Sequence, residues 1–186
     1  TRAYCQQAVC NPSRQSLLTG RRPDTLRVWD LKTHFRQTSP GTVTLPEYFR
    51  DRGYFARSIG KIFHGEAPMA DPPSWSVPEQ LEYVAKRDDY RLPENRAPRA
   101  TQKAAATEFA GEADDDYPDG KVAAGAVAAL EQAAREASGK PFFLAVGFMK
   151  PHLPFTAPVR YWNAFETIAI PPPSQPEPPR GAPAVA

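Results

Sequence analysis

A cysteine and an arginine four residues apart form the first group in this chain that could do chemistry. The segment CNPSRQSLLTG predicts a helix that begins near Cys10 and ends at Gly20, with Pro12 in its first turn. The free N–H groups and the helix dipole at such an N-terminus favour an anion. Arg14 lies one turn further along the same face, and its guanidinium suits an oxyanion such as sulfate or phosphate.

From the residues alone, three roles for Cys10 stay open: a thiol nucleophile as in cysteine phosphatases, a buried cysteine without chemistry, and a disulfide with Cys5. The Asn-Pro-Ser sequence between Cys10 and Arg14 is not the glycine-rich loop that cysteine phosphatases have there. An extended segment would place the Cα atoms of Cys5 and Cys10 roughly 16 Å apart, so a disulfide would require a tight loop.

Two further groups follow segments that are predicted to be strands. Lys61 and His64 come directly after an apolar stretch, and Lys150 and His152 come after the continuous apolar run at residues 142–148. Ligands of parallel α/β sheets bind beyond the carboxyl ends of the strands. We therefore expect these groups and the cysteine–arginine group to converge on one edge of one sheet.

The elements that must position these groups are predicted by periodicity and capping. Residues 4–9 are acceptable as a first strand, Thr44 begins a helix that stops at Gly53, and a strand follows from residue 54. A long helix after residue 119 places its apolar residues on one expected face, formed by Val122, Ala126, Val127, Leu130 and Ala134. Continuous apolar character predicts that residues 142–148 form a strand buried on both faces.

Helices alternating with buried strands predict an α/β fold, which we divide into four parts. Residues 1–64 and 119–170 belong to one domain, residues 65–118 form a proline-broken, irregular surface excursion, and residues 171–186 form a proline-rich tail or connection. Aspartates at positions 88–89 and 114–116 lie in the polar excursion, where a solvated loop is a better interpretation than a metal site.

Composition excludes two classes of partner. A net charge of +2, with acidic and basic residues interspersed, provides no basic stripe for nucleic acid. No apolar run approaches the length of a membrane span. The 22 prolines among 186 residues predict long irregular connections between regular elements.

The pattern C-x-P-S-R-x-x-L-L-T-G at residues 10–20 resembles the signature of the type I, formylglycine-dependent sulfatases. The stretches LTGRRPDT, GKIFHG and KPHLPF extend this resemblance to the iduronate-2-sulfatase branch and its bacterial relatives. The resemblance implies part of an alkaline-phosphatase-like sheet flanked by helices and incomplete at both ends, within a longer chain. It also implies an enzyme that removes sulfate from a sulfated sugar.

The resemblance further implies a role for each candidate residue. Cys10 would be oxidised to formylglycine, whose hydrate is the nucleophile. Arg14 and Lys61 would hold the hydrate and offset the charge of the sulfate. His64 would be the base that releases the product, and His152 would contact the sulfate and protonate the leaving oxygen.

Sulfatases of this type also hold a calcium ion with carboxylates. The family places an Asp pair before the signature and an Asp with His or Asn well after the KPH segment. The first aspartate here is Asp24 and the last is Asp119, so formylglycine at position 10 is the only metal ligand that we assign to this chain. We therefore expect an internal fragment that is inactive by itself.

The implied partners are a sulfated carbohydrate substrate and a formylglycine-generating enzyme, and the implied location is periplasmic or secreted, or lysosomal in a eukaryote. Two other functions stay open: a phosphoester or phosphonate hydrolase of the same superfamily, and a sulfated-glycan binder without turnover.

Overall fold

The computed structural model describes residues 4–65, 68–85, 89–96, 105–111, 113–135, 140–177 and 180–181. The helices are α1 Cys10–Thr19, α2 Pro23–Leu26, α3 Phe35–Thr38, α4 Leu45–Arg50, α5 Glu82–Ala85, α6 Pro93–Arg96, α7 Pro118–Arg135 and α8 Val159–Asn163. The strands are β1 Phe55–Gly60, β2 Thr107–Ala110, β3 Phe142–Gly147 and β4 Phe155–Pro158. Short 3₁₀ turns occupy Pro72–Ser74 and Asp114–Asp116.

The sequence correctly predicts the end of α1 and the start of α4, although α4 itself ends at Arg50 rather than at Gly53. Gly20 closes α1 with φ 66°, a conformation that glycine adopts without strain. Thr44 and Glu47 form a reciprocal capping box at the start of α4, in which each side chain accepts a hydrogen bond from the other residue's backbone N–H.

The strands form two parallel pairs, which confirms the α/β prediction. β1 pairs with β3 in a register that runs from Phe55 opposite Phe142 to Gly60 opposite Gly147. β2 pairs with β4 in the same parallel sense. Parallel pairing brings the carboxyl ends of β1 and β3, and the residues that follow them, to the same edge.

Alternating side chains of β1 and β3 reach two hydrophobic clusters, one on each face. Ala56 and Phe143 contact the cluster that includes Leu18 of α1 and Phe35 of α3. The opposite face packs against α7, in a cluster made of Ile59, Val122, Ala129 and the partly buried Leu144 and Val146. The sheet edge with the candidate groups is therefore held between α1 on one side and α7 on the other.

Two structural expectations, the strand at residues 4–9 and the buried face of the long helix, are wrong. Residues 4–9 form no strand, because none of the described strands runs beside them and a short strand needs a partner. The buried face of α7 is formed by Val122, Ala126 and Ala129. The other members of the predicted face are exposed: Val127, Leu130 and Ala134. Alanines surround α7 on all sides, so apolar spacing did not discriminate between two possible faces.

β3 is less buried than its apolar sequence predicts. The residues of β3 are exposed or half-buried, and Phe142 is 47% exposed. Phe148, which the sequence placed in this strand, follows its end and is also 47% exposed. The cause lies in its pairing, since β1 is its one partner among the described strands.

The four-part division of the chain stays a prediction, but residues 65–118 are not merely a surface excursion. Asp71, Trp75 and Leu81 are buried, and β2 lies in this stretch. Residues 171–177 contain no helix or strand, and the tail expectation otherwise falls largely outside the described residues. Among the described helices, none combines the length and the apolar content that crossing a membrane requires.

Candidate active site

Cys10 is the first residue of α1, preceded by an extended Val9. Both cysteines are free, so the disulfide interpretation is wrong for this structure. Buried side chains fix this end of α1, since Asn11 Nδ2 donates to the carbonyls of Asp30 at 2.9 Å and Thr33 at 2.8 Å. Cys10 is therefore half-buried at a helix N-terminus whose orientation is held by a polar network.

Arg14 links α1 to the segment after β1. Its Nη1 donates to the carbonyl oxygens of Lys61 at 2.5 Å and Ile62 at 3.0 Å. Burial lowers the pKa of Arg14, and the negative charge of a Cys10 thiolate acts against this effect. An arginine keeps its charge in proteins, so a fixed positive charge lies one helical turn from Cys10.

Two glycines let the carboxyl ends of β1 and β3 approach each other closely. A Cβ at Gly147 would lie 2.0 Å from the Lys61 carbonyl oxygen, and one at Gly60 would lie 2.2 Å from the Gly147 carbonyl oxygen. Gly60 also has φ 77°, and the Lys61 N–H donates to Gly147 at 2.7 Å. The close approach therefore fixes the backbone of the buried Lys61.

His64 lies among the other candidate groups. Partial burial lowers its pKa below 6.5, and the positive charges of Lys61, Arg14 and His152 lower it further. Its Nδ1 is buried and makes no hydrogen bond to the described residues. At neutral pH this imidazole is therefore neutral and able to accept a proton.

His152 belongs to the loop Phe148–Pro154, which we call the KPH loop. The His152 side chain is exposed, and its Nδ1 lies 2.7 Å from the Leu153 carbonyl oxygen. Because a carbonyl only accepts, Nδ1 carries the proton, and Nε2 carries one only when the ring is cationic. The structure thus brings all five predicted residues to one edge of the sheet, while their catalytic roles stay predictions.

Lys150, whose role the sequence left open, is paired with a buried carboxylate. Its Nζ lies 3.1 Å from Asp89 Oδ1. Asp88 lies outside the described residues, and Asp114 pairs with Arg160 and Tyr161. The contact to Lys150 and the burial of Asp89 contradict the prediction that this aspartate is solvated.

Sequence reasoning missed Asp119, in the first turn of α7. Its carboxylate accepts hydrogen bonds from the backbone N–H groups of Met149 and Lys150 in the KPH loop. An aspartate before a glycine at a helix start is typical of capping, so its sequence context gave no signal for a contact 30 residues away.

The described residues do not by themselves fit a calcium ion. Calcium takes six to eight oxygen ligands, and no group of three or more His, Cys, Asp or Glu side chains in the described part is arranged to hold a metal. Calcium therefore stays a prediction from the resemblance, with position 10 as its one assigned residue.

This edge of the sheet combines a helix N-terminus, two buried or half-buried cations and two histidines, which are groups of the kind that bind a tetrahedral oxyanion. The family model described as Sulfatase matches residues 1–177. The chain belongs to the sulfatase family.

Named relatives agree with this membership. The chain is 37% identical to iduronate 2-sulfatase of Homo sapiens over 194 residues, which cover 99% of this chain and 34% of that protein. It is 36% identical to iduronate 2-sulfatase of Mus musculus over 91% of this chain and 32% of that protein. The chain thus spans about a third of the length of these relatives.

A solved structure supports the fold. The structure of BT4656 in complex with D-glucosamine-2-N,6-O-disulfate, its substrate, matches with a TM-score of 0.56 and 21% identity. The match covers 92% of this chain and 31% of that one. The expected partial sheet flanked by helices is thereby confirmed.

Proposed function

We propose that the complete gene product containing these residues is a sulfuric ester hydrolase that removes sulfate from a sulfated sugar. Family membership and the iduronate 2-sulfatase relatives support the reaction class. The sulfated glucosamine bound by BT4656 supports a sugar substrate. The observation that carries the proposal is the position of Arg14, Lys61, His64 and His152 around the N-terminus of α1.

In the proposed reaction, a formylglycine-generating enzyme first oxidises Cys10 to an aldehyde, which hydrates. One hydroxyl of the hydrate loses its proton as its oxygen attacks the sulfur, and the bond from sulfur to the sugar oxygen breaks as that oxygen gains a proton. A base then removes the proton from the second hydroxyl, the aldehyde reforms, and sulfate leaves. A serine at position 10 would remain sulfated, because it lacks the second hydroxyl.

The four other residues divide the remaining work. Arg14 and Lys61 offset the negative charge of the sulfate, at fixed positions that need no rearrangement during the reaction. His64 is the base, since its lowered pKa keeps it neutral at neutral pH. His152 protonates the leaving sugar oxygen as an imidazolium, because its Nδ1 proton is already held by the Leu153 carbonyl.

The family resemblance supports a location for the complete gene product in the periplasm or outside the cell, or in the lysosome of a eukaryote. It also supports a calcium ion beside residue 10, whose other ligands would have to come from residues outside this sequence.

The proposal is tested by hydrolysis of nitrophenyl sulfate and nitrophenyl phosphate by the complete gene product, coexpressed with a formylglycine-generating enzyme. We expect turnover of the sulfate ester, its loss in Cys10→Ala, and its retention in Cys5→Ala, which removes the exposed free thiol. Faster turnover of the phosphate ester would indicate a phosphoester hydrolase instead. Binding of sulfated glycans without turnover of either ester would indicate a non-catalytic binder.

A further inference from the structure

The KPH loop carries His152, but most of its residues are not buried. Pro151, His152 and Leu153 are exposed, and an exposed loop is ordinarily among the least rigid parts of a protein. A residue that contacts substrate requires a position held to a fraction of an ångström. Contacts outside the loop must therefore provide that position.

One such contact is the carboxylate of Asp119. Its Oδ1 accepts the N–H of Met149 at 2.6 Å, and its Oδ2 accepts the N–H of Lys150 at 2.9 Å. Both hydrogen bonds are charge-assisted, and they hold two consecutive peptide groups with a single side chain. The two distances and the shared carboxylate leave the loop backbone little freedom at this point.

Asp119 is itself attached to a rigid element. It lies in the first turn of α7, an 18-residue helix whose buried Val122 packs against β1 and β3. The Asp114 carbonyl approaches Gly120 so closely that a Cβ there would lie 1.7 Å from it. The start of α7 is thus packed against the 3₁₀ turn that precedes it, which fixes the backbone from which the Asp119 side chain extends.

The anchored peptides lead directly to His152. Its backbone N–H donates to the Met149 carbonyl at 2.9 Å, which closes a turn from Met149 to His152. Met149 is buried at 4% exposure. Asp119 therefore fixes the first half of this turn, and the histidine forms its end.

We propose that Asp119 is a positioning residue that sets the location of His152 relative to Arg14, Lys61 and His64. The proposal rests on the proposed function for the role of His152. The ion pair between Lys150 and Asp89 is a second contact of the loop. It constrains the Lys150 side chain, whereas the hydrogen bonds to Asp119 constrain the loop backbone.

The test uses the complete gene product and compares Asp119→Asn with Asp115→Asn, which removes a charge from an exposed site four residues earlier. An asparagine keeps the shape but accepts only one of the two N–H groups. We expect Asp119→Asn to lower kcat for nitrophenyl sulfate about 10- to 100-fold, with a smaller change in KM, and Asp115→Asn to leave both constants unchanged.

A double-variant cycle separates positioning from general stability. If Asp119 acts through His152, Asp119→Asn has little further effect on kcat when His152→Ala is already present. Losses that multiply in the double variant, or a lowered Tm with unchanged kcat in Asp119→Asn, would overturn the proposal. If Asp119→Asn does not fold, Asp119→Glu keeps the charge and enters the same cycle.

Hydrogen exchange provides a readout that does not depend on turnover. We expect the amides of Met149, Lys150 and His152 to exchange faster in Asp119→Asn and at the wild-type rate in Asp115→Asn. Unchanged protection at these amides would overturn the proposal even for a protein without sulfatase activity. Sulfatase activity that survives Cys10→Ala would overturn the proposed function and leave this exchange result to decide the positioning role.

Discussion

Around α1 and β1 the candidate site is built from buried groups, whereas around His152 it is built on an exposed loop. Asn11 and Lys61 are 0% and 5% exposed, and Arg14 joins their elements through two carbonyl acceptors. In the KPH loop, Met149 is buried, and its backbone N–H donates to the carboxylate of Asp119 in α7. We refer to these two parts as the framework half and the loop half.

Stability and activity are expected to be coupled in one half of the site and largely separate in the other. In the framework half, the groups that orient the candidate residues also fill the core, so substitutions should reduce both stability and turnover. In the loop half, the anchoring contacts are few and close to solvent, so substitutions should reduce turnover more than stability. Four further variants sharpen or break this distinction.

Arg14→Ala should have the largest effect. The variant removes a fixed charge beside Cys10 and leaves the Lys61 and Ile62 carbonyls without this donor, so kcat/KM for nitrophenyl sulfate should fall about 10³-fold. Steady-state kinetics measure the loss, and Arg135→Ala is the control because Arg135 is exposed near the end of α7. Activity within threefold of wild type would contradict a role for the framework half in turnover.

Gly147→Ala should destabilise the fold by about 3 kcal/mol. The new Cβ would overlap the Lys61 carbonyl oxygen, and relief requires a shift of backbone rather than of a flexible side chain. Urea unfolding measures the change. Gly41→Ala is the control, since a Cβ at Gly41 meets no atom within 4 Å; equal effects of the two substitutions would show that the close approach of β1 and β3 is unimportant.

His64→Ala should lower kcat about 10²-fold and change the pH profile. A base must be neutral, so wild-type activity should fall as acidification protonates His64. Because burial and neighbouring cations lower its pKa, the midpoint of this fall should lie below pH 6.5. The acidic limb of the kcat profile should disappear in the variant, and an unchanged limb would assign it to another group.

Lys150→Met should have the smallest effect, a loss of about 1 kcal/mol in the free energy of unfolding. The substitution removes a half-exposed partner of Asp89 and keeps the length of the side chain. Lys140→Met, at an exposed position before β3, is the control in thermal unfolding. A loss of several kcal/mol would show that the loop half contributes to stability as the framework half does, and would contradict the distinction between them.

Local sequence signals predicted the helices that present the candidate residues. The glycine after α1, the capping box at α4 and the periodicity of α7 each depend on residues within a few positions of one another. The order of apolar segments and helices also predicted a parallel sheet whose strand ends converge on one edge, and the structure realises this by pairing β1 with β3.

Contacts distant in sequence could not be predicted in this way. The acceptor role of Asp119 depends on Met149 and Lys150, which tertiary packing brings to the start of α7. The exposure of β3 depends on which strands lie beside it, and an apolar run carries no information about its neighbours. Alanine-rich α7 likewise required the packed sheet to select its buried face.

The central claim is that Cys10 becomes an aldehyde that performs the hydrolysis. Its most direct test is mass spectrometry of the peptide containing Cys10, combined with the rate of nitrophenyl sulfate hydrolysis on samples of the complete gene product matured to different extents. The rate should rise in proportion to the fraction of peptide in which the thiol has been replaced by the aldehyde. Full activity in a sample whose peptide carries only the thiol would contradict the claim.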